Sequence, residues 1–272
     1  MTTEQTQNSG SSTAKNLFTP LVIILSIVVG IILYKFVLGA PGNFKDGNPN
    51  NDPLPGNFLG IAYKGGFLVP LALGLMIMLF AFSIERLITL GRAAGKSSLD
   101  LFIQKIQIKL QTGDVDGAIA ECDVQKGTVG NVVREALIAY KKAEKDSTKD
   151  KDQKIYSIQK ALEETTALEI PMLEKHLTII ATLVSIATLV GLIGTVLGMI
   201  RAFAALATQG GAPDATALAT GISEALVNTA LGITTSTIAT VSYNYFTSRI
   251  DDTTYRLDEA GFSIVQTFAE KH

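Results

Sequence analysis

Two uncharged runs of 24 residues each, Leu177 to Ile200 and Ala225 to Ser248, constrain this chain more than any other feature. At 1.5 Å rise per residue, about 20 apolar residues cross a hydrocarbon core of roughly 30 Å, so each run is long enough for a transmembrane helix. Yet together they hold fourteen Ser and Thr residues: Thr178, Thr182, Ser185, Thr188 and Thr195 in the first run, and nine more from Thr229 to Ser248 in the second. A span that only anchors a protein has no need of these. At membrane depth hydroxyls act either as glue between helices or as the lining of a wet path.

Two further stretches, Asn16 to Tyr34 (19 residues) and Gly65 to Ile84 (20 residues), also lack charge. With 47% apolar content, the clustering predicts an all-α membrane protein: four transmembrane helices, with long helices extending into a cytoplasmic helical domain. The expected order is a disordered tail (1–15), helix one (16–38), an outer loop (39–64), helix two (65–86), the cytoplasmic helical domain (87–176), helix three (177–206), a turn (207–220), helix four (221–247) and a cytoplasmic C-terminal helix (248–272). Helix one reads as retained rather than cleaved, because Leu38 and Pro41 suit a cleavage point after Ala40 badly. It is expected to begin near Pro20, which is tolerated in a first turn, and to pack on the outside of the bundle. The outer loop carries Pro41, Pro49, Pro53 and Pro55, so no regular helix is expected there.

In the cytoplasmic part, Leu99, Phe102, Ile103, Ile106 and Leu110 recur at helical spacing, as do Val129, Val132, Val133, Ala136, Leu137 and Tyr140. Asp114 is placed to cap a helix between them. Lys141 to Lys154 reads as a solvated turn or exposed face, and Pro171 as a bend. Leu257, Ala260, Ile264 and Phe268 give the C-terminal helix an apolar stripe that should pack on the same helices. Gly210 to Asp214 is a turn signal, so helices three and four form a hairpin. Fifteen Lys and Arg lie between Arg86 and His176, against Lys45, Lys64 and Arg201 in the opposite loops. That bias places both termini and the large loop in the cytoplasm of a multi-pass protein.

Several function classes are excluded. A net charge of −2 without a long basic stretch argues against nucleic acid. Cys122 is alone, and only His176 and His272 offer imidazoles, so no disulfide, metal or cofactor site is expected. No phosphate loop or nucleophile elbow supports an enzyme.

On helix four, Thr229, Ser236 and Thr240 fall within about 40° of one another, and Glu224, Asn228, Thr235 and Ser242 form a second stripe about 100° or more away. One stripe faces a pore or a neighbour, and the sequence leaves open which. Glu224, near the outer end, reads either as an entrance for cations or as a glutamate in headgroup water. Gly191, Gly194 and Gly198 on helix three admit close helix packing, with Thr195 among them. Thr188, Ser236 and Thr240 read as pore-lining or packing. The spans hold no central Asp, Lys or Arg, so a partner must supply any proton carrier.

Gly191-Leu-Ile-Gly-Thr195-Val-Leu-Gly198, then Glu224-Ala-Leu-Val-Asn-Thr229-Ala-Leu-Gly232 and Tyr243-Asn244, resemble the ExbB/TolQ branch of the MotA/TolQ/ExbB proton-channel family. Leu173-Glu174, Ile84-Glu85-Arg86-Leu87 and Ala118-Ile-Ala-Glu-Cys122 extend the likeness, which covers roughly residues 65–246. The resemblance implies a homopentamer in the membrane lipid of the bacterial inner membrane, with the two polar helices around a pore. It also implies an ExbD/TolR-like single-span partner carrying the proton-shuttling Asp, and a TonB-like protein that receives the work for outer-membrane transport. Thr195 and Thr229 would then lie on the proton path, with Glu224 near it. The chain departs from the pattern in its extra first helix, in Thr188 where many members have Pro, and in Ser236 to Thr240 in place of an Ile-Pro-Ala segment. Without those prolines straight helices are expected, setting Glu224 and Thr229 about 140° apart. The alternatives are a flagellar or gliding-type MotA-like stator and a non-conducting scaffold.

Overall fold

The structure is a computed structural model that describes residues 9–206 and 215–271, all helix, turn or loop with no strand among them. Among the described residues the nine α-helices, numbered in chain order, are α1 (Ser9–Leu33), α2 (Phe58–Tyr63), α3 (Val69–Ala93), α4 (Leu99–Gln111), α5 (Val115–Gln125), α6 (Gly127–Lys145), α7 (Lys151–Glu174), α8 (Leu177–Leu206) and α9 (Ala215–Lys271). They divide into two units, one of residues 1–83 and 179–242, the other of residues 84–178 and 243–272.

Three described helical stretches are long and apolar enough to cross a membrane: Phe18–Leu38, Val69–Ala93 and the segment ending in α8. The protein is thus an all-α membrane protein, and three of the four expected spans meet these criteria among the described residues. The run within α9 is long enough, yet its hydroxyls and its Asn228 and Asn244 amides dilute its apolar character.

In the first unit, α1 starts at Ser9, so residues 9–15 are helical rather than part of a disordered tail; residues 1–8 lie outside the described residues. Pro20 sits inside the helix and not at its start. Helix α1 packs on α3 through facing glycines, where a Cβ on Gly30 would come within 2.6 Å of Pro70 O and 2.8 Å of Gly74 N. Ser26 is buried in this seam, whereas Leu21, Ile24 and Leu25 are exposed. The connector, expected to hold no regular helix, contains the short helix α2. A π-helical turn (Tyr34–Leu38) and two 3-10 turns lead to α2, which Asn57 caps by accepting from Gly60 N at 3.0 Å. Asn43 donates to Val37 O and Leu38 O, both at 2.8 Å, and Tyr34 stacks on Tyr63 with centroids 4.6 Å apart. The prolines end helices here without preventing order, because side-chain amides satisfy the freed backbone groups.

In the second unit, α4, α5, α6, part of α7 and the last turns of α9 enclose one core. Phe102, Ile106, Val132, Val133, Leu137 and Tyr140 are in it, together with Leu257, Ala260, Ile264 and Phe268 of α9. Asp114 caps α5, accepting from Gly117 N at 2.8 Å. Helix α7 passes through Pro171 and ends at Glu174; His176, at φ 67°, separates it from α8. Arg86 is buried, held by Glu85 (2.5 and 2.7 Å) and donating to Leu173 O at 3.0 Å, while His176 Nδ1 lies 3.1 Å from Glu85. Burial pushes the Cys122 thiol up to about 12. That thiol is a packed core group, not a nucleophile.

Candidate functional site

Helices α8 and α9 meet backbone to backbone in the first unit because small residues line both sides. A Cβ on Gly191 would lie 3.1 Å from Asn228 O and 3.2 Å from Gly232 Cα; one on Gly198 would come within 2.7 Å of both Ala225 N and Gly221 O. A Cβ on Gly194 would strike the Asn228 side chain. From the other side, Gly232 and Gly221 admit Ala187 O and Gly198 O just as closely, at 2.6 and 2.8 Å. Such contact substitutes for the hydrophobic drive that helices lack in lipid. The sequence reading named the glycines of α8 but missed Gly221 and Gly232. Part of the expected turn, residues 207–214, lies outside the described residues, and residues 215–220 already belong to α9.

The hydroxyls sort into two roles. Thr195 donates to Leu192 O (2.6 Å), Thr235 to Leu231 O (2.8 Å) and Thr240 to Ser236 O (2.9 Å), each within its own helix. Ser236 and Thr188 both donate to Val184 O, at 2.8 and 3.2 Å, so that one carbonyl ties α9 to α8. Thr229 also reaches across, to Gly191 O at 3.4 Å. Thr195 and Thr229 therefore lie on facing helices with separate acceptors.

Burial separates the two stripes of α9. Glu224, Asn228 and Thr235 are 6%, 2% and 1% exposed, whereas Thr229 and Ser236 are half-buried and Thr240 is exposed. The stripe containing Glu224 points into the unit. The stripe of Thr229, Ser236 and Thr240 borders the outer face formed by Leu226, Ile233, Thr237 and Val241.

Glu224 is neither in headgroup water nor open to cations. Arg201 Nη1 lies 2.5 Å from its Oε1 and 2.6 Å from its Oε2. Arg201 also stands over the Phe67 ring, 5.6 Å from its centroid. Gly66, at φ +80°, passes so close to the carboxylate that a Cβ there would overlap it. One turn on, Asn228 Nδ2 donates to Gly65 O at 2.7 Å and Glu224 O at 2.9 Å, leaving its buried Oδ1 without a partner among the described residues. Carboxylate, guanidinium and amide thus fasten the start of α3 to the hairpin. The sequence reading placed Arg201 in a loop and Asn228 only in a stripe facing a pore or a neighbour. A signal was present: Arg201 stands nine residues before Gly210 and Glu224 ten after Asp214, so a hairpin brings them level.

Among the described residues no group of His, Cys, Asp and Glu is placed to hold a metal ion. The site offers hydrogen-bonding hydroxyls and one neutralised carboxylate. It can pass a proton along hydroxyls or hold helices together, but it contains no free acid of its own.

Residues 127–259 match the MotA/TolQ/ExbB proton channel family. A biopolymer transport protein ExbB homolog of Methanothermobacter thermautotrophicus is 28% identical over 72% of this chain and 65% of its own length. The Tol-Pal system protein TolQ of Pseudomonas aeruginosa is 29% identical over 57% of this chain and 67% of its own. The biopolymer transport protein ExbB of Helicobacter pylori is 38% identical over 34% of this chain and 62% of its own. The chain thus spans about two thirds or less of the length of these relatives. Thr195 and Thr229 lie in the matched segment and the relatives carry both names, so this part of the chain is similar to the MotA/TolQ/ExbB proton channel family, on its ExbB/TolQ branch.

Proposed function

We propose that this protein is the proton-conducting stator subunit of an ExbB–ExbD or TolQ–TolR type motor in the bacterial inner membrane. It would couple the proton-motive force to TonB-dependent transport at the outer membrane. The observation that carries the reading is the pairing of Glu224 with Arg201: the carboxylate beside the two threonine motifs is already neutralised, which leaves Thr195 and Thr229 as half of a proton site. A single-span partner of the ExbD/TolR kind supplies the missing aspartate, and five copies of this chain surround it. Helix α9 crosses the membrane as the fourth span, with both termini in the cytoplasm. The Thr229, Ser236 and Thr240 stripe turns to the shared path while the Glu224 stripe holds the subunit together.

The family match and the relatives named ExbB and TolQ support the channel reading. The hydroxyls that bond within their own helices favour a scaffold instead, and the two readings part on one experiment. Thr195→Val and Thr229→Val, co-produced with the partner, are expected to abolish proton-motive-force-dependent uptake while the complex still assembles. Normal uptake in both variants overturns the assignment.

A further inference from the structure

In the second unit, a cleft of about 370 Å³ opens where α3 and α9 leave their uncharged stretches. Its apolar half is formed by Leu87 and Leu90 at the end of α3 and by Tyr245 and Phe246 of α9. Its polar half contains two arginines and two aspartates, so the cleft is charge-balanced. These groups are not equally engaged. Arg256 binds Asp100 at 2.8 Å and Glu259 at 3.2 Å, which occupies one cation and one anion. Arg249 rests on the Tyr245 ring, 5.6 Å from the centroid, and touches the Tyr245 hydroxyl only through Nε (3.4 Å). Its two terminal nitrogens have no protein acceptor among the described residues. Asp252, three residues on and so on the same side of the helix, is 55% exposed and reaches Arg256 Nε only at 3.9 Å.

We propose that this cleft binds a phospholipid with a zwitterionic aminophosphate headgroup, the phosphate on Arg249, the primary ammonium on Asp252 and the proximal acyl chain against Leu87, Leu90 and Phe246. The chemistry selects among lipids. A guanidinium with free terminal nitrogens matches a phosphate oxygen pair. A purely anionic headgroup would satisfy Arg249 but face the Asp252 carboxylate, whereas a primary ammonium can donate to it. A choline headgroup has no N–H to donate, and Asp252 would gain no hydrogen bond from it. The site also lies where the uncharged runs give way to charged residues, the composition expected where a headgroup meets the first part of its chain.

The test is native mass spectrometry of the full-length oligomer released from nanodiscs of equal parts phosphatidylethanolamine, phosphatidylglycerol and phosphatidylcholine. The wild type is expected to retain phosphatidylethanolamine in preference to the other two. Arg249→Gln is expected to lower that retention about tenfold or more, the loss typical of one charge-assisted hydrogen bond. Gly91→Leu is the second variant: Gly91 lines the cleft and a Cβ there meets nothing within 4 Å, so a larger side chain has room to start into the acyl site. It should displace the lipid while leaving thermal stability unchanged or raised. Retention of phosphatidylethanolamine unchanged in both variants, a wild-type preference for phosphatidylglycerol, or full competition by soluble glycerophosphoethanolamine at equal concentration overturns the proposal. The readout involves no proton flux, so its outcome is independent of the channel reading.

Discussion

Arg201 holds both carboxylate oxygens of Glu224 through a single nitrogen, at 2.5 and 2.6 Å, with the carboxylate buried and the guanidinium half exposed. Removing the cation strands a buried charge, whereas removing both leaves none. Arg201→Ala is expected to destabilise the protein by about 2–3 kcal/mol, less than a fully enclosed pair because Arg201 reaches water. The double variant Arg201→Ala/Glu224→Ala should recover most of that loss in thermal unfolding of the reconstituted protein. Equal stability of Arg201→Ala and wild type would show that the pair holds nothing.

The glycine seam makes a graded prediction. Gly198→Val forces side-chain atoms into the α9 backbone and should cost about 3 kcal/mol, the upper part of the range for overpacking. Gly91→Ala, in open space within a helix, should instead gain up to about 1 kcal/mol from helix propensity. Comparable destabilisation of the two in a thermal melt would remove the seam as an explanation.

If Thr195 and Thr229 act through their hydroxyls, serine should substitute and valine should not. Thr195→Ser and Thr229→Ser, measured with the partner in proteoliposomes, are expected to keep proton flux within about threefold of wild type, a change below 1 kcal/mol in barrier. Loss of flux in the serine variants equal to that in the valine variants would point to shape rather than hydrogen bonding.

Cys122 gives a pH dependence whose sign is set by burial. Its thiol is raised from 9.0 to about 12 in the folded chain, so folding favours the protonated form. That contribution is complete below the unfolded value and is lost as pH rises from 9.0 toward about 12. At pH 8 maleimide should label Cys122 far more slowly in the folded protein than in denaturant. Cys122→Ser should flatten the decline in stability above pH 9; an unchanged decline would assign it to other groups.

Phe268 packs edge-on against Tyr140, with centroids 4.9 Å apart and no exposure. Phe268→Ala is expected to cost about 3–5 kcal/mol as a core cavity. Denaturant unfolding followed by near-ultraviolet dichroism of Tyr140 would register it, and a loss below 1 kcal/mol would contradict the last turns of α9 being part of this core.

Periodicity in the sequence carries the second unit well. The stripes Phe102 to Leu110, Val129 to Tyr140 and Leu257 to Phe268 all enter one core, because a 3.6-residue repeat marks the buried face of a helix wherever its partner comes from. Asp114 was legible for the same local reason, a cap being set by neighbours along the chain. The helix α2 in the connector was not legible because its setting rests on Asn43, Asn57 and Tyr63, whose partners lie several to many residues away.

By itself the sequence determined that this chain builds apolar helices dense in hydroxyls, packs some of them through glycine, and brings no acid to mid-membrane. Those properties depend on residue type and spacing alone. Only the tertiary structure decided which stripe of α9 is buried, that Glu224 is spent on Arg201, and that Asn228 fastens Gly65 to the hairpin. Each depends on which group from a distant segment arrives within hydrogen-bond range, and a helical wheel holds the angle of a side chain but not the identity of what it meets.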